Sequence, residues 1–230
     1  MVNTELTRFY DQLLQFPLFQ GLSRTELLQM AGNTKFGFMK LPPNKVVMRE
    51  GDTCQQLFFL IKGQLTMTTT SDDHNYSTSE QLHSPWLIQP EALFGAHPHF
   101  TATVQTLTEA HFITLSKDEV LRLLDDFIVF RLNMLNLLAT QSQRTLHRFW
   151  RRSPQSLTDR IVRFMLDHAS YPAGAKCFHI VMKRLGQELG ANRIDISKAL
   201  NKMQEQGLLV LHRGRIEVPS LERLLMSINE

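Results

Sequence analysis

The sequence has few cysteines, and they show none of the spacings that cysteine chemistry uses. Only Cys54 and Cys177 occur in 230 residues. They form neither a Cys-x-x-Cys pair nor the spacing of a zinc or iron–sulfur site. Two isolated thiols are typical of proteins kept in a reducing compartment. We therefore expect no disulfide, no metal and no bound cofactor, and a cytoplasmic location.

Signals of membrane insertion, secretion and common enzyme chemistry are also lacking. No apolar run reaches the roughly 18 residues that indicate a membrane span. The first residues show no basic region followed by an apolar core, so we expect no signal peptide. The G-x-S-x-G, P-loop, H-E-x-x-H and G-x-G-x-x-G motifs are absent. These absences argue against a membrane protein and against an enzyme.

The two parts of the chain differ in charge. Residues 1–140 contain 10 Lys and Arg against 14 Asp and Glu, whereas residues 141–230 contain 15 against 8. A basic C-terminal part is expected where a protein meets a polyanion such as nucleic acid. A solvated basic surface is the alternative, and charge alone does not decide between the two.

Residues 35–116 are predicted to form short strands separated by turns. The turns contain Pro42-Pro43-Asn44, Gly51-Asp52, Gly63 and Asp72-Asp73-His74-Asn75. Two short helices are predicted before them, in residues 5–32. Many short strands at close intervals predict a small antiparallel barrel or roll.

A long helix without Gly or Pro is predicted next, from Phe127 to about residue 151. Roughly 25 helical residues span about 37 Å, more than a small domain needs. The segment has two apolar faces, so one can pack on the strands while the other packs on a second copy of the chain. A core helix of a monomer is the alternative. We assign the dimer interface to the face that contains Phe127, Phe130, Met134, Leu137 and Gln141.

Residues 183–207, KRLGQELGANRIDISKALNKMQEQG, are predicted to form two helices joined by a tight turn. Gly190 lies where the chain must turn, Asn192 can cap the second helix, and Gly207 can follow its end. The apolar face of the second helix includes Ile196 and Leu200. This length and spacing are those of a helix-turn-helix. A two-helix corner with a solvated basic face is the alternative.

The other face of the second helix suits the major groove of DNA. We predict that Arg193, Ile194, Ser197 and Lys198 read bases, because Arg and Lys donate to guanine edges and Ile contacts thymine methyl groups. The following run, LLVLHRGRIEVP, predicts two strands joined by a turn, the hairpin wing of a winged helix. Further polar residues are predicted to contact phosphates: Asn192, Asn201, Lys202, Arg213 and Arg215.

The order of these elements resembles the Crp/Fnr family of bacterial transcription regulators over nearly the whole chain. MREGDTCQQLFFLIKGQLTM is similar to the family's β-roll motif, and LGANRIDISKALNKMQEQGLLVLHRGRIEV is similar to its helix-turn-helix and wing. The resemblance implies an α+β protein with three parts. Residues 1–116 form an antiparallel β-roll, an effector-type domain with the cyclic-nucleotide-binding fold and flanking helices. Residues 117–152 form a long dimerisation helix, and residues 153–230 a winged helix-turn-helix DNA-binding domain.

The resemblance also implies a function. A homodimer would regulate transcription by binding a two-fold symmetric operator in double-stranded DNA, and would contact RNA polymerase if it activates. A ligand-sensing module that acts through protein contacts, without specific DNA binding, is the alternative. The family's recognition helix commonly carries a Glu followed four residues later by an Arg, and these positions are Ile194 and Lys198 here. Loss of the Glu removes an acceptor for a cytosine amino group, so we expect an operator different from the usual family half-site.

The segment around residues 89–101 aligns with the loop in which relatives bind a cyclic nucleotide. The resemblance implies a Gly-Glu pair for the ribose and an Arg-Ser or Arg-Thr pair for the phosphate. The first pair aligns with Gln89 and Pro90, and the second with Phe100 and Thr101. Without the Arg a phosphate lacks its charge-assisted bonds. We therefore expect a degenerate effector loop with no affinity for cyclic AMP, and the identity of any small-molecule effector stays open.

Two histidines in the same segment, EALFGAHPHFTATV, have a spacing that a metal site can use. His97 and His99 would share a face of a strand. Pro98 between them favours a loop instead. We therefore interpret them as polar loop residues and predict no metal site.

Overall fold

The chain forms two compact units in the computed structural model, which describes residues 2–150 and 153–227 and gives side chains from residue 8 on, except at 149. The first unit contains the residues up to Leu65 together with Leu82–Phe149. The second contains Thr66–Gln81 together with the residues from Trp150 on. The chain therefore leaves the first unit for one hairpin, returns to it, and then continues into the second unit.

Helices and strands together confirm the predicted α+β class. The α-helices are α1 Val2–Leu13, α2 Arg24–Asn33, α3 Lys117–Asp126, α4 Ile128–Phe149, α5 Leu157–Asp167, α6 Met182–Leu189, α7 Arg193–Glu205 and α8 Leu221–Met226. The strands are β1 Gly37–Leu41, β2 Val46–Met48, β3 Gln56–Lys62, β4 Gln64–Thr70, β5 Ser77–His83, β6 Trp86–Ile88, β7 Thr103–Thr106, β8 Ala110–Ser116, β9 Lys176–His179, β10 Val210–His212 and β11 Arg215–Val218. Within the described ranges, none of the helices is long and apolar enough to cross a membrane.

The first unit is built on an antiparallel sheet in the order β1-β8-β3-β6. Strand β3 lies inside this sheet, and four consecutive residues, Leu57–Leu60, are buried. Its partners on either side place Phe59 opposite both Ile113 and Leu87. Strands β2 and β7 form a second antiparallel pair. These short strands and turns agree with the roll predicted from the sequence.

A chain of aromatic rings joins the sheet of the first unit to its helices. The ring of Phe59 lies 5.1 Å from that of Phe16 and 5.5 Å from that of Phe19, and Phe19 lies 5.4 Å from Phe130 on α4. These side chains are among the largest that are fully buried. Aromatic pairs at these distances add to the stabilisation that burial itself provides. The aromatic chain therefore fixes which face of α4 is directed at the core.

Helix α4 has 22 residues and rises about 33 Å. It begins after a break at Phe127, whose extended backbone ends α3. Three residues assigned to the dimer interface are covered within their own chain, since Phe127, Phe130 and Met134 are only 6%, 0% and 2% exposed. Side chains that are already buried in this way cannot form the dimer interface that the sequence predicts for them. Aromatic and methionine side chains pack well both in a dimer interface and in a protein core, and in this structure these three pack in the core of their own chain.

The second unit is a winged helix. Helices α5, α6, α7 and α8 enclose a core against the inner face of the strands, with Phe178, Ile196, Leu200 and Ile216 at its centre. Strand β10 pairs with β11, and β11 pairs with β9. This arrangement agrees with the predicted helix-turn-helix and wing.

The hairpin Thr66–Gln81 is the part of the second unit that comes from the N-terminal half of the sequence. Strand β5 pairs antiparallel with β9, from Ser77 opposite His179 to Glu80 opposite Lys176. The sequence placed this hairpin with residues 1–116, because adjacent strands usually share a sheet. The predicted boundary between residues 152 and 153 falls next to residues 151 and 152, which lie outside the described residues.

Gly63 provides a sharp test of the first unit. Its φ is +108°, and a Cβ there would lie 2.5 Å from the carbonyl oxygen of Glu109. We expect Gly63→Ala to lower the free energy of unfolding by about 2–5 kcal/mol, the sum of backbone strain and steric overlap. Urea unfolding of the full chain measures the loss.

Gly51→Ala is the matched control. Gly51 also has a positive φ, +84°, but apart from Gly51 and its two chain neighbours no heavy atom of the described residues lies within 4 Å of the position that a Cβ would take there. Backbone strain alone should cost about 1–2 kcal/mol. Equal losses in the two variants would contradict the close approach at Gly63.

Candidate nucleic-acid interface and effector loop

The turn between α6 and α7 depends on two glycines. Gly190 has a left-handed backbone with a φ of +59° and ends α6. Gly186, inside α6, lies so close to the turn that a Cβ would come within 2.6 Å of the carbonyl oxygen of Ala191. The backbone N–H of Ala191 also donates to the carbonyl of Gly186, at 2.9 Å. The sequence pattern identified Gly190 but missed Gly186, although a glycine inside a helical pattern is a signal of close packing.

Asn192 begins α7 with a reciprocal pair of hydrogen bonds. Its Oδ1 accepts from the backbone N–H of Asp195 at 2.8 Å, and its Nδ2 donates to the carboxylate of Asp195 at 2.6 Å. This cap satisfies a free N–H of the first turn and puts a carboxylate at the positive end of the helix. The predicted cap is confirmed. The phosphate contact predicted for the same side chain stays a prediction, and it would have to compete with these bonds.

The outer face of α7 carries the residues that were predicted to read bases. Arg193, Ile194 and Lys198 are exposed and Ser197 is half-buried. The inner face holds Ile196 and other buried apolar residues. Ile194 is 66% exposed, so its side chain is available for an apolar contact with a ligand. Asn201 and Lys202, which continue this face toward the end of the helix, are exposed as well.

The wing is a tight hairpin in which His212 pairs with Arg215 across Arg213 and Gly214. Gly214 takes the positive φ of the turn, +72°. Arg213 is exposed at its tip. Arg215 is half-buried and contacts the carboxylate of Glu217 at 2.8 Å. Arg213 therefore offers the freer charge to a phosphate, and Arg215 has an acidic competitor.

A hydrogen bond fixes the wing to the recognition helix. The side-chain Oε1 of Gln204, near the end of α7, accepts from the backbone N–H of Leu211 at 2.7 Å. The donor lies on strand β10, so this bond holds the wing beside the end of the recognition helix.

Gln89 closes the segment that aligns with the cyclic-nucleotide loop. Its Oε1 accepts from the backbone N–H of Thr101 at 2.8 Å and from the Thr101 hydroxyl at 2.9 Å, while its Nε2 donates to the carbonyl of Ala102 at 3.3 Å. The residue is buried and has a left-handed backbone, φ +39°. Its amide oxygen thus takes the two donors that would otherwise be free to bind a phosphate oxygen.

Phe100 and Pro90 complete this closure. Phe100 is 5% exposed, and its ring lies 6.2 Å from that of Phe58. Its backbone bonds on both sides to the turn at Gly51 and Asp52, at 2.9 Å each. Pro90 is buried and begins a short 3-10 helix, Pro90–Leu93. Phe100 thus packs in the apolar interior of the first unit; the alignment of its position with a phosphate-binding Arg of relatives stays a prediction.

The closed loop is tied to helix α4 by one side-chain contact. The Nε2 of Gln141 donates to the Glu91 carboxylate at 3.1 Å. Gln141 and Leu137 were assigned to the dimer interface, and both are half-buried within their own chain. The structure therefore brings Gln141 to the effector loop.

The histidines of this segment and the two cysteines of the chain are the remaining candidates for metal or thiol chemistry. His97 and His99 are exposed. In the parts of the chain that the structure covers, there is no group of three or more His, Cys, Asp or Glu that could hold a metal ion. Burial raises the pKa of both the Cys54 and the Cys177 thiols. Each thiol therefore stays protonated and weakly reactive at neutral pH.

Two known domain families match the chain. Residues 38–127 match the Cyclic nucleotide-binding domain, and residues 159–226 match the Crp-like helix-turn-helix domain. The first covers the roll and α3, and the second covers most of the winged helix, including the recognition helix and the wing.

The chain is similar to a curated relative and to two solved structures. The cAMP-activated global transcriptional regulator Vfr of Pseudomonas aeruginosa is 25% identical over 174 residues, 71% of this chain and 80% of that protein. The Thermus thermophilus catabolite activator protein is 20% identical with a TM-score of 0.53, over 93% of this chain and 100% of the other. A putative regulator of the crp/fnr family from Eubacterium rectale is 19% identical with a TM-score of 0.54, over 94% and 99%. At these identities the two structures show the fold alone.

The closed loop predicts that cyclic AMP does not bind. Titration calorimetry of the full chain should show no saturable heat with cyclic AMP up to about 1 mM, which corresponds to a binding free energy weaker than about −4 kcal/mol. Vfr in the same buffer is the positive control. Micromolar binding that is lost in a Thr101→Val variant would contradict this interpretation of the loop.

Proposed function

Because the chain belongs to the Crp/Fnr family of transcription regulators, we propose that it acts as a homodimer that binds a two-fold symmetric operator through α7. One observation carries this proposal. Arg193, Ile194 and Lys198 project from a capped helix whose opposite face is buried, and a hydrogen bond holds the basic wing beside it. This is the form of a surface that reads base edges in a major groove and neutralises the phosphates next to it.

Each residue of α7 that was predicted to read bases has a chemical role in this proposal. Arg193 and Lys198 donate to guanine edges, and Ser197 contacts a base or a nearby phosphate. Ile194 contacts the methyl group of a thymine. An aliphatic side chain gives no acceptor to a cytosine amino group, so the half-site differs from that of relatives with a Glu at this position.

The residues that are proposed to contact phosphates differ in their exposure and in the contacts that they already make within the chain. Lys202 and Arg213 are exposed and supply most of the salt-dependent binding. Asn201 contributes a neutral donor. Arg215 and Asn192 act mainly through the wing and the helix cap, because Glu217 and Asp195 already contact them.

The dimer forms through the exposed apolar stripe of α4. Ile128, Leu132, Leu135 and Leu146 are each at least 50% exposed, and Ala139 lies between them and is exposed. Their spacing follows the 4,3 repeat of a two-stranded coiled coil. An unpaired stripe of this size is costly in water, so a symmetry mate is the natural partner. Two recognition helices are then held about 34 Å apart, one turn of the duplex.

The effector half works without cyclic AMP in this proposal. Gln89 supplies the loop's own acceptor, so the loop is closed without a nucleotide. A different effector, or control by the amount of protein, sets the regulator's activity. We propose no catalytic role, a cytoplasmic location where the operator lies, and contact with RNA polymerase if the protein activates transcription.

Substitutions on α7 separate base reading from phosphate contact. The operator is first recovered by selection from random duplexes. Arg193→Ala should then weaken binding to that operator by about 1–3 kcal/mol and change random DNA little, because a base contact is lost. Lys202→Ala should weaken both duplexes alike and lower the salt slope by about one.

Fluorescence anisotropy at several salt concentrations measures both effects. Equal loss on operator and random DNA in Arg193→Ala would remove its base-reading role. Recovery of the usual family half-site would contradict the role given to Ile194.

A single lysine on the exposed stripe tests the dimer. Leu135→Lys places two charges in the proposed seam and should weaken dimerisation by at least about 100-fold, or ~3 kcal/mol. Analytical ultracentrifugation measures the monomer–dimer equilibrium. Asn136→Lys, one residue further and also exposed, is the matched control and should remain dimeric. A dimer that resists Leu135→Lys would place the interface elsewhere.

A further inference from the structure

We propose that the hairpin Thr66–Gln81 is part of the DNA-binding machinery, because it holds the first helix of the helix-turn-helix in position. Glu80, Tyr76 and Asp73 are then positioning residues for operator binding. This inference rests on the proposed operator binding, and it adds a segment that neither matched domain family places in the helix-turn-helix.

The hairpin is joined to the winged helix by strand pairing. Strand β5 adds to the edge of β9 over four residue pairs, and β9 is in turn paired with β11 of the wing. An unpaired β9 edge would leave backbone N–H and C=O groups without partners. The hairpin satisfies them, so the sheet behind the helix-turn-helix is complete only when the hairpin is docked.

A buried ion pair fixes the register of this pairing. The ammonium of Lys176 lies 2.9 Å from the carboxylate of Glu80, and their side chains are only 3% and 2% exposed. Lys176 also donates to the carbonyl of Ala173 at 2.7 Å, and Glu80 accepts from the backbone N–H of Ser170 at 2.7 Å. If one of the two charged groups were removed, the other would remain buried in a low dielectric without an opposite charge. Docking is therefore specific to this alignment of β5 and β9.

Tyr76, at the end of the hairpin turn, packs against α5 and the residue that follows it. Its hydroxyl bonds to the Nε2 of His168 at 3.1 Å. Its ring lies 5.6 Å from that of Phe164 and 5.3 Å from that of His168. The hairpin thus contacts the helical side of the unit as well as the sheet.

The tip of the hairpin contacts α6 through the side chain of Arg184. The guanidinium of Arg184 contacts the Asp73 carboxylate at 2.7 Å and lies over the ring of Tyr76, 5.8 Å from its centre. Hydrogen bonds from Asn75 and then from Ser71 lower the pKa of Asp73 to about 2. The carboxylate is therefore ionised at every physiological pH, and the contact with α6 persists.

The docked hairpin leaves the DNA-binding surface open. Its contacts lie on β9, α5 and α6, while Arg193, Ile194, Lys198 and Arg213 keep exposed side chains. Both ends of the hairpin continue into the first unit, at Leu65 and Leu82. A segment that continues into the first unit at both ends thus contacts α6, the helix before the recognition helix, through the side chain of Arg184.

The buried pair allows a test in the whole 230-residue chain. Glu80→Gln and Lys176→Met each leave one buried group without its charged partner, whereas the double variant is neutral and similar in volume. Two readouts are needed: hydrogen exchange of the amides in β5, β9 and α6, and affinity for the selected operator. Both are measured at a temperature where circular dichroism shows a folded protein.

Each single variant should lose protection in β5, β9 and α6, and should bind the operator at least tenfold more weakly. The double variant should recover to within about threefold of the original protein. A purely structural pair would lower the unfolding temperature and leave the operator affinity of the folded protein unchanged. Loss of protection in β5 and β9 with unchanged α6 protection, or with unchanged or tighter operator binding, would overturn the proposal.

Tyr76→Ala covers the case in which the buried variants fail to fold. Tyr76 is half-buried, and we expect at least fivefold weaker operator binding with faster exchange in α6. Asp72→Ala, an exposed position in the same turn, is the matched control and should match the original protein. Unchanged affinity and unchanged α6 exchange in Tyr76→Ala would overturn the proposal.

An error in the proposed operator binding and an error in the proposed positioning role of the hairpin would give different results. If the original protein binds no selected duplex, the operator function is wrong, and exchange in α6 still decides whether the hairpin holds that helix. If the original protein binds and hairpin variants bind equally well, the function stands and the hairpin has no positioning role.

Discussion

The close approach of α6 to the turn before α7 is the constraint on which the DNA-binding surface depends. Because Gly186 has no Cβ, the carbonyl oxygen of Ala191 can lie at a position where it would clash with a methyl group. This contact sets the angle between the two helices. The Asn192–Asp195 cap then fixes where α7 begins, and the Gln204 bond fixes the wing beside it. Base-reading side chains need such a rigid support, because a bidentate contact to a base tolerates little displacement.

The segment around residues 89–101 satisfies hydrogen-bond donors within its own chain. A loop that binds a nucleotide keeps donors unsatisfied until the ligand arrives. Here the Gln89 side chain fills that role from within the chain, with two bonds to Thr101 and one to Ala102. Phe100 is buried beside this segment, and the segment is tied through Glu91 and Gln141 to α4. We propose that the closed loop has lost the cyclic-nucleotide chemistry of this fold.

The helix-turn-helix, the wing and the roll could be predicted because their signals are local. Gly190, Asn192 and Gly207 mark the ends of helices, and period-two patterns mark strands. The faces of α4 could not be assigned this way. Phe130 and Leu135 both belong to apolar stripes at helical spacing, and only the aromatic contacts of Phe19 with Phe130 decide which stripe is covered. Likewise, alignment predicts that residues 89–101 have lost a phosphate site, but only the structure shows the three hydrogen bonds of Gln89 to Thr101 and Ala102.

By itself, the sequence determined the α+β class, the order of the elements and the candidate DNA-reading residues, because caps, turns and hydrophobic periods act within a few residues. Tertiary structure alone decided where the hairpin Thr66–Gln81 belongs. Its pairing with β9 joins residues about 100 positions apart, and the buried Glu80–Lys176 pair is stable only because each charge compensates the other in a low dielectric. No local pattern encodes such a partner, so the strand that pairs with β9 becomes visible only in the folded chain.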